Sequence, residues 1–355
     1  MKPIQIGNFT IKVPIIQGGM GVGISLSGLA SAVANQGGVG VIASAGLGLI
    51  YRQKHADFIQ DSILGLKEEI HKFRAKSNGI VGVNVMVAMS NFADMVQTSI
   101  LEKADIIFSG AGLPLNLPGF LKSDSVTKLV PIVSSGRATK IICSKWQQNY
   151  NYLPDAVVVE GPKAGGHLGF KTAQIKDDNY SLEHILPEVV SVVKEFEVKS
   201  GKTIPVIAAG GIYSGQDISN MQKLGATGVQ MGTRFVTTDE CDASESFKNS
   251  YLESKKEDME IIISPVGMPG RAIHNNFIEK LNLGKKHPVR CPFKCIKSCD
   301  ITKTPYCIMN ALFNAFKGNM KNGYAFAGAN AYMSKKIISV QETFKNIKKE
   351  YLNSK

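Results

Sequence analysis

One histidine of this chain follows a buried strand and lies within a glycine-rich loop. Residues 155–170 read DAVVVEGPKAGGHLGF; the β-branched run predicts a strand, and the loop after it carries His167. Glycines beside the histidine allow a bulky ligand close to the backbone, because no Cβ stands in the way. An imidazole titrates near neutral pH and can give or take a proton. The segment therefore predicts a catalytic site, with a plain polar turn as the alternative.

Two more glycine-containing loops follow strand candidates later in the chain. Residues 209–212 read AGGI, and residues 230–235 read QMGTRF. Backbone N–H groups of both loops can converge on a phosphate, assisted by the Thr233 hydroxyl. Two such loops on successive strands predict a phosphate site. The alternative is that they are tight turns in which glycine serves geometry alone.

Apolar runs alternate with helical patterns along the chain, and this rhythm predicts the fold. The strand candidates are Pro14–Gln17, Val39–Ala43, Val81–Met86, Ile106–Ser109, Leu129–Val133, Ala156–Glu160, Pro205–Ala208 and Gly228–Met231. The helical patterns are Leu26–Asn35, Ala56–Lys76, Phe92–Glu102, Ala138–Trp146, Leu182–Lys199 and Ser214–Leu224, whereas the connection after the fourth strand is proline-rich. Eight parallel strands covered by helices predict an α/β fold, the (β/α)8 TIM barrel, with its active site at the C-terminal strand ends. An open doubly wound sheet is the alternative, but no Gly-x-Gly-x-x-Gly turn supports it.

Composition and charge divide the chain at residue 270. With 44% hydrophobic and 20% charged residues, the 355-residue chain can bury a large core. Residues 271–355 hold 16 Lys or Arg and 4 Asp or Glu, which accounts for the whole net charge of +12. We therefore expect a barrel over residues 1–270 and a basic C-terminal extension over residues 271–355, packed on the barrel. Such a surface can steer an acidic carrier protein, coenzyme A or a nicotinamide phosphate, or simply be a solvated face.

The sequence has no signal for nucleic-acid or membrane partners. No nucleic-acid-binding motif accompanies the basic charge. The N-terminus has no apolar signal region, and no run of about 18 apolar residues occurs. We therefore expect a cytoplasmic protein without nucleic-acid or membrane partners. The sequence does not determine the oligomeric state, and a homodimer is one of the alternatives.

Four of the six cysteines lie close together in the extension, at Cys291, Cys295, Cys299 and Cys307. Four thiols within 17 residues suit a [4Fe–4S] cluster or structural Zn²⁺, and nearby lysines would offset the negative charge of the thiolates. The spacing matches no standard ferredoxin or zinc-ribbon pattern. A metal site and free thiols are therefore the two interpretations, because disulfides are disfavoured in a cytoplasmic protein.

Six motifs, in this order, together resemble the nitronate monooxygenase family over about the first 270 residues. The family was formerly called 2-nitropropane dioxygenase, and it includes the flavin-dependent enoyl-acyl-carrier-protein reductases. The motifs are Gln17–Met20, Gly28–Gly40, Ser109–Pro114, Ala164–His167, Ala209–Ile212 and Gln230–Phe235.

This resemblance implies a TIM barrel that binds FMN, with His167 as the catalytic residue. Beside the isoalloxazine ring it implies Gly18, Gly19, Met20, Asn84 and Lys140. Along the ribityl chain and at the phosphate it implies Glu160, Gly165, Gly210, Gly211, Gln230, Gly232 and Thr233.

The resemblance leaves two reactions open on a small-molecule substrate. The main prediction is oxidation of alkyl nitronates with O₂. The alternative is an NAD(P)H-dependent enoyl reductase whose partner is an acyl-carrier protein, and a third candidate is a non-catalytic flavin-binding protein. Gly19 and Glu160 stand where the monooxygenases usually have proline and glutamine, and they favour the reductase. Lys163 stands where both groups tend to have an acid, and its ammonium would lower the pKa of His167 if it pointed inward.

Overall fold

Eight parallel strands close into a barrel in the computed structural model, which describes residues 1–53, 57–286, 291 and 293–354. The barrel strands are Ile15–Gln17, Val39–Ala43, Ile80–Met86, Ile106–Gly110, Lys128–Val133, Val157–Glu160, Val206–Ala209 and Gly228–Met231. The last strand pairs with the first, with Met231 opposite Gln17. Apolar side chains such as Phe108 and Ile207 fill the barrel interior. The predicted strands and the TIM barrel are confirmed.

Helices follow most barrel strands, as the sequence predicts. They are Ser27–Asn35, Leu47–Ile50, Phe58–Lys76, Phe92–Leu101, Gly136–Tyr150, Leu182–Ser200, Gly215–Lys223, Thr233–Val236, Glu245–Glu253, Asn276–Asn282, Ile308–Phe316 and Val340–Leu352. The proline-rich connection holds only the 3₁₀ turn Leu117–Phe120, and Ala56 of the predicted helix 56–76 lies outside the described residues. Serine side chains begin several helices; Ser135 accepts a hydrogen bond from the Ala138 N–H. Among the described residues, no helix has the length and apolar character needed to cross a membrane.

Two small sheets complete the fold. Ile4–Ile6 and Phe9–Ile11 form an antiparallel hairpin. Gly166–His167, Met259–Ile263 and Pro269–Ile273 form a three-stranded sheet. Gly270 pairs with His167 in this second sheet, so the pairing of the two strands fixes the backbone of His167.

The chain beyond residue 270 packs on the barrel. Helix Val340–Leu352 lies against Gly215–Lys223 and Ser27–Asn35, the helices that follow the seventh and the first barrel strands. Phe344 is fully buried there, with its ring 5.8 Å from that of Phe235. A division of the chain at residue 270 stays a prediction.

Candidate active site

A cavity of about 480 Å³ opens at the C-terminal ends of the barrel strands. Its lining includes His167 and all but one of the predicted cofactor residues: Gly18, Gly19, Met20, Asn84, Glu160, Gly165, Gly210, Gly211, Gln230, Gly232 and Thr233. The exception is Lys140, which is exposed on helix Gly136–Tyr150. Ala138 of the same helix lines the cavity instead, because a residue two positions further along a helix faces another direction.

His167 is fixed by three groups from remote parts of the chain. Its backbone pairs with Gly270, its Nε2 lies 2.9 Å from the Ser264 Oγ, and the Phe326 ring packs against its own ring at 5.2 Å between centroids. Ser264 is 97 residues away in sequence, and no local pattern identifies it. These contacts hold the imidazole in one orientation toward the cavity.

Burial lowers the pKa of His167 to about 4. The expectation of a pKa near neutrality is therefore wrong for this site, because water that would solvate an imidazolium is excluded. The cause is burial and not Lys163, whose side chain lies along Gly211. At neutral pH the ring is uncharged and can accept a proton.

Glu160 is the second titratable group of the cavity. It ends the sixth barrel strand, opposite Ala209 of the neighbouring strand. Burial raises the pKa of its carboxyl to about 7. The charge of the cavity therefore changes near neutral pH, where this carboxyl passes from neutral to negative.

Arg271 holds the loop that carries His167. Its Nη1 donates to the carbonyl oxygens of Pro162 and Ala164, at 2.6 and 2.7 Å. The side chain is buried, and burial lowers the pKa of the guanidinium to about 10. In the sequence Arg271 is visible only as one of the basic residues of the extension, since its partners are backbone atoms more than 100 residues away.

Close approach of the backbone explains why the cavity is lined by glycines. A Cβ on Gly19 would lie 2.3 Å from the Asn84 Cβ. Gly210 and Gly211 have φ values of +91° and +87°, a region that side chains disfavour. Thr233 Oγ1 accepts a hydrogen bond from the Gly328 N–H at 3.1 Å, which ties the phosphate-loop candidate to the C-terminal segment.

The residues present fit a phosphate-bearing ligand. The N–H groups of Gly211 and Gly232 donate to no atom within the part of the chain that the structure describes. Both residues line the cavity, so these donors are available to an anion. Asn330, which also lines the cavity, donates from its Nδ2 to the Gly211 carbonyl at 2.7 Å and stabilises the loop.

The four C-terminal cysteines are free thiols. Burial raises the pKa of Cys295 to about 12 and also raises the pKa values of Cys299 and Cys307. Over residues 1–53, 57–286, 291 and 293–354, no group of three or more His, Cys, Asp or Glu side chains is arranged to hold a metal ion. The predicted iron–sulfur or zinc site therefore finds no support in the structure.

Comparisons with known proteins agree with the fold and the motifs. A sequence model of the nitronate monooxygenase family matches residues 2–350, which extends the resemblance well past residue 270. The chain is similar to a probable nitronate monooxygenase of Staphylococcus saprophyticus, with 29% identity over 78% of this chain and 79% of the relative. It has the same identity, over 78% of this chain and 67% of the relative, to a Mycobacterium tuberculosis protein named (3aS,4S,5R,7aS)-5-hydroxy-7a-methyl-1-oxo-octahydro-1H-indene-4-carboxyl-CoA dehydrogenase.

Two solved structures resemble this one over nearly their whole length. FabK from Thermotoga maritima has a TM-score of 0.73 and 26% identity, covering 97% of this chain and 94% of that chain. Nitroalkane oxidase from Streptomyces ansochromogenes has a TM-score of 0.72 and 19% identity, covering 97% of each chain, and this likeness concerns the fold.

Proposed function

The chain belongs to the nitronate monooxygenase family, and we propose that this enzyme is an FMN-dependent oxidoreductase that oxidises alkyl nitronates with O₂. One observation carries the proposal: His167, whose ring is hydrogen-bonded to Ser264, lines the same cavity as the two glycine-rich loops proposed to hold a phosphate. One cavity therefore offers an imidazole that can handle a proton of the substrate and backbone N–H groups that can bind the phosphate of FMN. FMN, when bound, supplies the electron-accepting chemistry that amino-acid side chains lack.

The phosphate end of FMN would be held by the two loops after the seventh and eighth strands. The unpaired N–H groups of Gly211 and Gly232, within the described chain, and the Thr233 hydroxyl are the donors for it. As the family resemblance implies, Gly18, Gly19 and Asn84 would lie beside the ring system. Heat denaturation should release FMN, and release of FAD or of no flavin contradicts this assignment.

His167 binds and orients the reacting end of the substrate. A nitronate is an anion, and an anion beside a partly buried imidazole raises the imidazole pKa, because the charged form gains an opposite charge. The ring can then hold a proton in the complex although it is neutral in the free protein. Ser264 fixes the ring orientation, and Arg271 fixes the loop, so neither needs to contact the substrate.

Glu160 sets the charge that the substrate meets. Below pH 7 its carboxyl is largely protonated, so an anionic substrate meets no negative charge from it. Above that pH the carboxylate opposes anion binding. Binding of the nitronate should therefore weaken as the pH rises through about 7.

The proposal is tested by anaerobic mixing of the purified yellow protein with an alkyl nitronate, NADH or NADPH. Bleaching of the flavin absorbance by the nitronate, followed by nitrite release on admission of O₂, is the expected result. Bleaching by NADPH or NADH alone, with no response to nitronates, contradicts it and favours the second candidate.

That second candidate is an NAD(P)H-dependent enoyl reductase. The identities of Gly19 and Glu160 favour it, because both depart from the residues usual in the monooxygenases. An acyl-carrier protein is a partner only in that case. A non-catalytic flavin-binding protein is disfavoured, since it has no need of a partly buried histidine positioned by a serine.

A further inference from the structure

Part of the cavity is lined by apolar side chains that the cofactor loops do not supply. They come from four stretches of the chain: Val22; Met86 and Met89; Ile296; and Ile308, Met309 and Leu312. We call this set the apolar wall. The FMN phosphate, the ribityl chain and the planar polar end of a nitronate gain nothing from such a surface, so the wall suits an apolar part of a ligand.

Backbone hydrogen bonds hold the apolar wall together, because they join two of its stretches. Met89 and Ile296 form an antiparallel bridge. The Ser90 N–H donates to the Cys295 carbonyl at 3.1 Å, and the Lys297 N–H donates to the Ala88 carbonyl at 3.0 Å. The C-terminal segment is therefore tied to the connection after the third barrel strand.

Packing behind the wall keeps its side chains in place. Met89, Ile296 and Met309 are 3%, 8% and 3% exposed and belong to one hydrophobic cluster. No charged side chain is among the members of the wall. Methionine is unbranched and polarisable, so its side chain adapts to apolar ligands of varied shape.

We propose that the apolar wall binds an extended apolar chain on the substrate, an inference that rests on the proposed function for the reacting end at His167. The preferred substrates then carry several methylene groups beyond the reacting carbon. A short polar nitronate would leave the wall in contact with water.

Binding of linear alkanoates to the flavin-loaded protein tests this. Their carboxylate is a planar anion that stands in for the nitronate, and calorimetry measures their dissociation constants without turnover. From butanoate toward dodecanoate, affinity should rise about fourfold per methylene until the wall is covered, since each buried methylene contributes about 0.8 kcal/mol. Affinity that does not change with chain length overturns the proposal.

Two variants locate the effect. Met309→Trp should end the rise in affinity at a shorter alkanoate, whereas Met333→Trp, at an exposed position outside the cavity, should keep the wild-type profile. Leu312→Ala should weaken the longest alkanoates about fivefold or more and leave butanoate unchanged, as loss of buried methylenes predicts. A Met309→Trp protein that retains flavin and the wild-type profile overturns the proposal, and if this variant does not fold, an unchanged profile for Leu312→Ala does so.

The outcome separates this inference from the proposed function. A rising alkanoate profile without nitronate oxidation rejects the reaction and keeps the wall as a chain-binding surface. Nitronate oxidation together with an alkanoate affinity that does not change with chain length keeps the reaction and rejects the wall as a chain-binding surface.

Discussion

Replacement of Glu160 by glutamine should change how the stability of the protein depends on pH. Burial raises the pKa of this carboxyl from 4.5 to about 7 in the folded protein, whereas the unfolded chain exposes it to water. Between these two pH values the native state binds more protons than the unfolded state. The free energy of unfolding therefore falls as the pH rises across this window. Glutamine has nearly the same shape and does not titrate.

The pKa rise from 4.5 to about 7 sets the size of the effect. It corresponds to about 3 kcal/mol, because one pKa unit equals about 1.4 kcal/mol. The stability of Glu160→Gln relative to wild type should therefore increase by about 3 kcal/mol from below pH 4.5 to above pH 7. Titration of His167 is common to both proteins and cancels in the comparison.

Urea unfolding of the flavin-free proteins at about pH 3.5 and about pH 8 measures this difference. Glu195→Gln, at an exposed position in the middle of helix Leu182–Ser200, is the control, and its difference from wild type should change far less between the two pH values. If Glu160→Gln also gives the same difference at both, the carboxyl is not desolvated in the folded protein. Glu160 would then not change the charge of the cavity near neutral pH.

His167→Ala should keep bound flavin and lower nitronate turnover by about 100-fold or more in steady-state assays, the scale of general acid–base effects. Ser264→Ala should lower kcat by about five- to tenfold, as loss of one orienting hydrogen bond predicts, without lowering flavin content. Gly232→Val should reduce the flavin content of the purified protein, measured by absorbance, because a Cβ there would lie 3.2 Å from the Met20 sulfur and valine adds bulk at a position that lines the cavity. Arg271→Met should lower the free energy of unfolding by about 2 kcal/mol or more in urea titrations, because two buried loop carbonyls lose their donor.

Local patterns in the sequence determined the barrel and the residues that line its upper end. Buried parallel strands read as short apolar runs, and helices read as periodic patterns, so the alternation was visible without any long-range information. Because the strands of a barrel run parallel, the loops after them lie together at one end. The glycine loops and His167 therefore fell into one cavity, as the sequence predicts.

Tertiary structure decided how those residues are held and how they titrate. Ser264 and Arg271 reach the His167 loop from about 100 residues away, and no periodicity encodes such a contact. Lys140 lies outside the cavity, contrary to the prediction, because the rotation of its helix about its axis depends on packing. Burial shifts the pKa values of His167 and Glu160 in opposite directions, since it disfavours the charged form of each, and burial is a property of the whole fold.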